Sequence, residues 1–135
     1  MPRSFMVLLI ALSSGVHAAT AYQSIEEAAK VTEANVTRFE NDSIAKQGTM
    51  LRFDVTVGWK DPSMRKEEEP LRKIIRHLAK CDEGELALAS VALVPGPGQL
   101  PKTFGIAPGA WDFYKPEKGT EPQKWLDKVC DWPLR

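Results

Sequence analysis

The chain is poor in the residues that most often carry chemistry. It has two cysteines, Cys81 and Cys130, and two histidines, His17 and His77. The cysteines stand far apart, so the paired short spacings of zinc sites are missing and no metal or cofactor is expected. No serine or cysteine sits in a nucleophile motif such as G-x-S-x-G, which leaves serine–histidine hydrolysis without support. Lysine and arginine total 18 against 18 acidic residues, so the concentrated basic footprint that nucleic acid needs is absent. Apolar runs are short as well. Residues 5–12 and 86–94 fall well below the roughly 20 residues that cross a bilayer, so no stable membrane anchor is expected. No internal repeat is visible, and no segment has the composition of a disordered tract.

What is present begins with the N-terminus. Arg3 supplies a positive charge, Phe5 to Leu12 form an apolar core, and Val16-His17-Ala18 ends on small residues before Ala19. Those are the three parts of a secretory signal peptide. Residues 1–18 are therefore expected to be a leader cleaved after Ala18, with cleavage after Ala21 as the alternative, and residues 19–135 to form a single domain. The leader carries Arg3 as its only charged residue, so 17 basic groups then face 18 acidic ones. The destination is extracytoplasmic, either periplasmic or secreted. In an oxidising compartment the simplest use of Cys81 and Cys130 is one disulfide, with two buried free thiols as the alternative.

Periodicity predicts the elements. Residues 24–41 carry a capping box (Ser24 with Glu27) and a face of Ile25, Ala28, Ala29, Thr32, Val36 and Phe39, which predicts a helix. Residues 49–60 alternate cleanly, with Leu51, Phe53, Val55, Val57 and Trp59 on one side of a strand. Residues 67–81 read as a second helix, with Pro70 in its first turn and Leu71, Ile74, Ile75, Leu78 and Cys81 on its inner face. Residues 85–94 are apolar on both faces, as in a central strand. A short strand over 111–114 and a helix over 120–132, capped by Thr120 and Gln123, complete the order. The expected fold class is α+β: a small single domain with three helices packed on one face of a short mixed or antiparallel sheet, held by one disulfide.

The stretch LVPGPGQLPKTFGIAPGAW, residues 93–111, holds four of the ten prolines and four of the nine glycines. It fails as a dinucleotide or phosphate loop, because Pro101 stands where the third glycine belongs and the prolines remove N–H donors. It reads as a stiff connector that can present a preorganised binding edge, with Leu100, Lys102, Phe104, Trp111 and Tyr114 as partner-binding candidates. Glu67, Glu68 and Glu69, with Asp54 or Asp61, are the only candidate carboxylate pairs, and helix-start electrostatics explain the glutamates first. Lys73 with Arg72, Arg76 and Lys80 reads first as a solvated basic face and second as an anion- or partner-binding stripe. Asn35-Val36-Thr37 and Asn41-Asp42-Ser43 match a glycosylation pattern too short to assign a role. The functional expectation is a noncatalytic binding module for a protein partner. A small-molecule carrier with its site between helix and sheet is the alternative, followed by a small carboxylate-dependent hydrolase.

Overall fold

Residues 50–59 do form the alternating strand, and the rest of the fold is arranged against its two sides. The computed structural model describes residues 24–132; the expected leader, residues 1–18, lies outside them. Helix α1 (Ile25–Ala28) precedes strands β1 (Asn35–Gln47), β2 (Met50–Trp59), β3 (Arg72–Lys80), β4 (Glu85–Val94) and β5 (Lys102–Gly105), and helix α2 (Glu121–Cys130) ends the order. The five strands make one sheet in the order β1-β2-β3-β4-β5, each antiparallel to its neighbour. It is a simple meander. The expected architecture of three helices on a short sheet is therefore corrected: the described residues are mostly antiparallel sheet, with two short helices and one disulfide.

Pairing fixes which side of each strand is covered. Val55 faces Ile75, which faces Val91, while Phe53 faces His77 and Leu51 faces Ala79. On this side α1 places Ala28 among Val57, Ile75, Val91 and Leu93, and α2 places Leu126 and Val129 among Phe53, Val55, Ala79 and Leu86. Phe53, Leu78, Leu86, Val91 and Val129 have essentially no exposed surface. Burying side chains of this size contributes about 1.5–3 kcal/mol each.

Two segments expected to be helical are strands. In residues 24–41 the Ser24 cap does form, accepting from Glu27 N at 3.1 Å, but the helix stops after one turn. Asn35 then starts a strand: its buried side chain accepts from Thr32 N and Thr32 Oγ1 and donates to Gly58 O. Residues 35–40 alternate Asn35, Thr37 and Phe39 against Val36, Arg38 and Glu40, and β-branched Val36 and Thr37 favour that conformation. In residues 67–81 the interior of the sheet takes Lys73, Ile75, His77 and Ala79, while Ile74, Arg76 and Leu78 face the other way. Two polar residues at inward positions disguise the period of two as a period of 3.6. Pro70 does not open a helix. Its carbonyl accepts from Trp59 Nε1 at 3.0 Å just before β3 begins.

β3 lies between β2 and β4 and is antiparallel to both, so of the mixed or antiparallel sheet expected, the antiparallel form is found. The expected strand over 111–114 shrinks to a single bridge between Tyr114 and Leu86. Thr120 makes no side-chain cap on α2; its hydroxyl donates to Glu117 O instead. Turn geometry follows the glycines where the ladder demands it. The two-residue turn between Gln47 and Met50 opens on Gly48 at φ 63°, the left-handed region that such hairpins require.

The disulfide joins Cys81 to Cys130 across 49 residues with Cα atoms 5.6 Å apart. Cys81 is not on a buried helix face. Both cysteines are exposed, one leaving β3 and the other ending α2. A closed loop of this length is worth about 4 kcal/mol in the chain-entropy account. Replacing both residues (Cys81→Ser with Cys130→Ser) is expected to remove about 3–4 kcal/mol in urea unfolding. Hydrogen exchange is expected to speed up most in α2. A loss below about 1 kcal/mol would show that packing of Leu126 and Val129 holds α2 alone.

Candidate functional site

The pleat that buries Phe53, Val55 and Val57 turns Asp54, Thr56 and Gly58 to the opposite side, and register adds neighbours from both flanks. Glu40 faces Asp54, which faces Arg76. Arg38 faces Thr56, which faces Ile74. Val36 faces Gly58, and one step beyond the Val57–Lys73 pair Gly58 faces Arg72. Three rows from three strands thus form a grid on the face away from α1 and α2.

Within the grid both carboxylates are engaged. Asp54 accepts a forked pair of hydrogen bonds from Arg76, at 2.9 Å from Nε and 3.1 Å from Nη2. This pairing raises the already high pKa of Arg76, the hydrogen bond to Asp54 outweighing the cost of burial. Glu40 accepts from Thr56 Oγ1 at 2.7 Å, and Arg38 Nε stands 3.8 Å from the same carboxylate. Arg72 is exposed and makes no hydrogen bond or ion pair among the described residues. Between the two guanidinium groups Gly58 contributes no side chain. The result is an open trough of about 520 Å³ lined by Val36, Arg38, Thr56, Gly58, Arg72 and Ile74, with Glu40 and Asp54 at one end.

A bulge closes that end. The register of β1 slips between Glu40 and Ala45, and Ser43 takes over the missing ladder contacts. Its hydroxyl donates to Glu40 O at 2.6 Å and accepts from Asp54 N at 2.7 Å. The slip turns Ile44 into the core.

The groups expected to form a carboxylate pair do not converge. Asp54 belongs to the Arg76 fork, Glu67 and Glu68 are exposed in the β2–β3 loop, and Glu69 accepts from Lys66 N. Asp61 caps a 3-10 turn (Pro62–Met64), accepting from Ser63 N, and its pKa is lowered by the Ser63 backbone and hydroxyl bonds. Among the described residues no three His, Cys, Asp or Glu side chains cluster as metal ligands.

The five loop candidates are spread along the edge of β4 rather than gathered. Lys102 pairs with Leu93 and Phe104 with Val91, while Tyr114 bridges to Leu86 near the other end of the strand. Phe104 is half-buried against the core, with Lys102 Nζ 5.5 Å from its ring. Trp111 is half-buried and donates from Nε1 to Ile106 O at 3.2 Å. Leu100 is the most exposed of the apolar candidates, at 88%, and Tyr114 is exposed as well. The preceding Gly96-Pro97-Gly98-Gln99 is a type II turn, with Gln99 N donating to Gly96 O and Gly98 at φ 79°. Gln99 also donates to Glu67 O at 2.8 Å, clamping the turn to the β2–β3 loop.

Sequence reasoning placed Phe53, Val55 and Val57 on one side of a strand but missed the site that Asp54, Thr56 and Gly58, on its other side, share with Arg38 and Arg72. The residues on either flank were read as helical, so the three rows had no reason to meet.

His77 is the other unusual side chain. It lies in the core between Phe53, at 5.2 Å, and Trp125, at 5.1 Å between ring centroids, and its Nδ1 has no hydrogen-bond partner among the described residues. Burial lowers its pKa from 6.5 to about 4, against a smaller opposing pull from Asp54. The unfolded chain therefore binds the proton more readily than the folded one. The stability this group lends is full above about pH 6.5 and is lost as pH falls through about 4. His77→Phe keeps an aromatic ring in the stack and removes the proton. The wild type is expected to lose about 3 kcal/mol more than this variant between pH 7 and pH 3.5, followed by urea midpoints. Parallel pH profiles would show that His77 is solvated in solution.

Compared with protein-family models, with curated proteins and with solved structures, the chain matches none, so its functional reading rests on the geometry of its own residues.

Proposed function

We propose that this chain is a noncatalytic, extracytoplasmic binding module that holds an acidic, extended segment of a protein partner across the open face of its sheet. The observation that supports this reading is the trough floored by Gly58 between Arg38 and Arg72. Arginine presents a planar fork that matches a carboxylate, and a sheet holds its side chains in fixed rows, so little freedom is lost on binding. Asp54 is paired with Arg76 and Glu40 stands 3.8 Å from Arg38, so Arg72 is the trough arginine whose charge no described carboxylate offsets. The disulfide suits an oxidising compartment, and no described helix is long and apolar enough to cross a membrane.

The carrier alternative is disfavoured by packing. The layer between α2 and the sheet, where a ligand would sit, is filled by Phe53, His77, Trp125, Leu126 and Val129. Leu100 gives a second point of contact: an exposed apolar side chain beside a type II turn anchored by Gln99. Lys102 lies next to it. Trp111 and Tyr114 lie farther along the β4 edge and belong to a separate surface.

Gly58 provides the discriminating test. A Cβ at this position meets nothing within 4 Å, and glycine weakens a strand interior. Gly58→Val is therefore expected to leave stability equal or raise it by a few tenths of a kcal/mol while filling the trough. Anisotropy of a fluorescein-labelled Glu- and Asp-rich peptide is expected to show binding that weakens at least tenfold in Gly58→Val and in Arg72→Glu, and that fades as salt is raised. A wild-type chain that ignores such peptides at low ionic strength would overturn the reading.

A further inference from the structure

β1 ends the sheet. It pairs with β2 on one side and with no described strand on the other. Such an edge presents a row of open N–H and C=O groups, and its phase can be read from the structure. Lys60 N donates to Ala34 O at 2.9 Å, so Ala34 turns its backbone groups towards β2. Alternation then directs Val36, Arg38 and Glu40 towards β2, and Thr37 and Phe39 outward. Asn35 agrees, since its N–H points away from β2 to Thr32 O.

We infer that this edge is a self-pairing surface on which two copies of the chain join β1 to β1, antiparallel and centred on Phe39, into one continuous sheet. A two-fold axis normal to the sheet keeps both pairs of helices on the same side, so residues that share a face must stand opposite one another. Centring on Phe39 sets its outward N–H and C=O against those of its own copy and sets Thr37 against Asn41. The same register sets Arg38 of each chain against Glu40 of the other, twice, on the open face.

Neighbouring registers fail. Centring on Arg38 or on Glu40 opposes like charges and brings together backbone groups already used by β2. Centring on Thr37 leaves Arg38 opposite Val36. Only the Phe39 register satisfies backbone phase and charge together. Phe39 is itself held ready, its ring stacked 5.2 Å from Phe53 with Lys128 Nζ 5.2 Å above it.

The bulge that begins after Glu40 leaves residues 38–40 of each chain as the regular part of this register, with Thr37 facing Asn41 where the bulge starts. The interface is therefore small, and a dissociation constant on the order of 10–100 µM is expected. The dimer would set two troughs side by side, one on each flank of the axis, but it does not depend on anything binding in them.

Sedimentation velocity of the purified chain, from about 10 µM to 1 mM, tests this. Monomer passing to dimer over that range is the expected result. Thr37→Pro removes an N–H that faces no strand among the described residues, at an edge position where proline is tolerated, and is expected to abolish dimerisation while far-UV circular dichroism stays unchanged. Should that variant unfold, charge exchange decides the matter. Arg38→Glu is expected to weaken the dimer at least tenfold, and Arg38→Glu combined with Glu40→Arg to restore it, because exchanged charges remain opposite across the axis. A chain that stays monomeric at 1 mM, or a dimer indifferent to these substitutions, overturns the inference. Gly58→Val is expected to leave dimerisation unchanged, which separates it from occupancy of the trough.

Discussion

The pairing of Phe53 with His77 across β2 and β3 sets the phase of the whole sheet. Once those two rings stack on the covered face, every second residue of both central strands must follow them inward. Val55, Val57, Ile75 and Ala79 then become core, and Asp54, Thr56, Gly58, Ile74 and Arg76 become surface. A slip of one residue in either strand would bury Arg76 and expose Phe53. The cost of this arrangement is a neutral imidazole kept away from water, and Trp125 closes over it from α2. The same stack therefore ties the C-terminal helix to the centre of the sheet.

The open face inherits its order from that phase. Because Asp54 follows Phe53, it must stand beside Arg76, which precedes His77, and the fork between them is a consequence of core packing one residue away. Lys73 shows the opposite case. Its position is inward, so its ammonium donates to Lys30 O beyond the end of α1, at 2.9 Å, and burial lowers its pKa. A long side chain can reach a carbonyl from an inward position, where a short one would be left unpaired.

How legible this was in the sequence depended on whether inward residues were apolar. β2, β4 and α2 were visible because Phe53-Val55-Val57, the apolar run 86–94 and the Leu126–Val129 face announce their periods. β3 was not, because Lys73 and His77 share its covered side while Ile74 and the fully buried Leu78 lie on the opposite side of the strand. A pattern count therefore favours a helix. β1 was hidden for a related reason: Asn35 and Thr37 point inward, and Val36 points to the surface. The disulfide was legible from cysteine number alone, whereas its exposed position was not. The trough needed three strands in register, two of which periodicity had assigned to helices, so no local signal pointed to it. The proline- and glycine-rich stretch was expected to be a stiff connector. Its conformation is a type II turn followed by an edge strand, which lays its aromatic residues along β4 instead of gathering them.

The disulfide has a mechanical consequence. Cys130 closes α2, and Cys81 follows the last residue of the central strand β3. A load applied to the chain beyond Cys130 passes through the sulfurs directly into β3, and the residues between the two cysteines carry none of it. α2 cannot be peeled from its end, and β5 cannot be unzipped first from that direction. Tension instead enters the sheet at the end of its central strand.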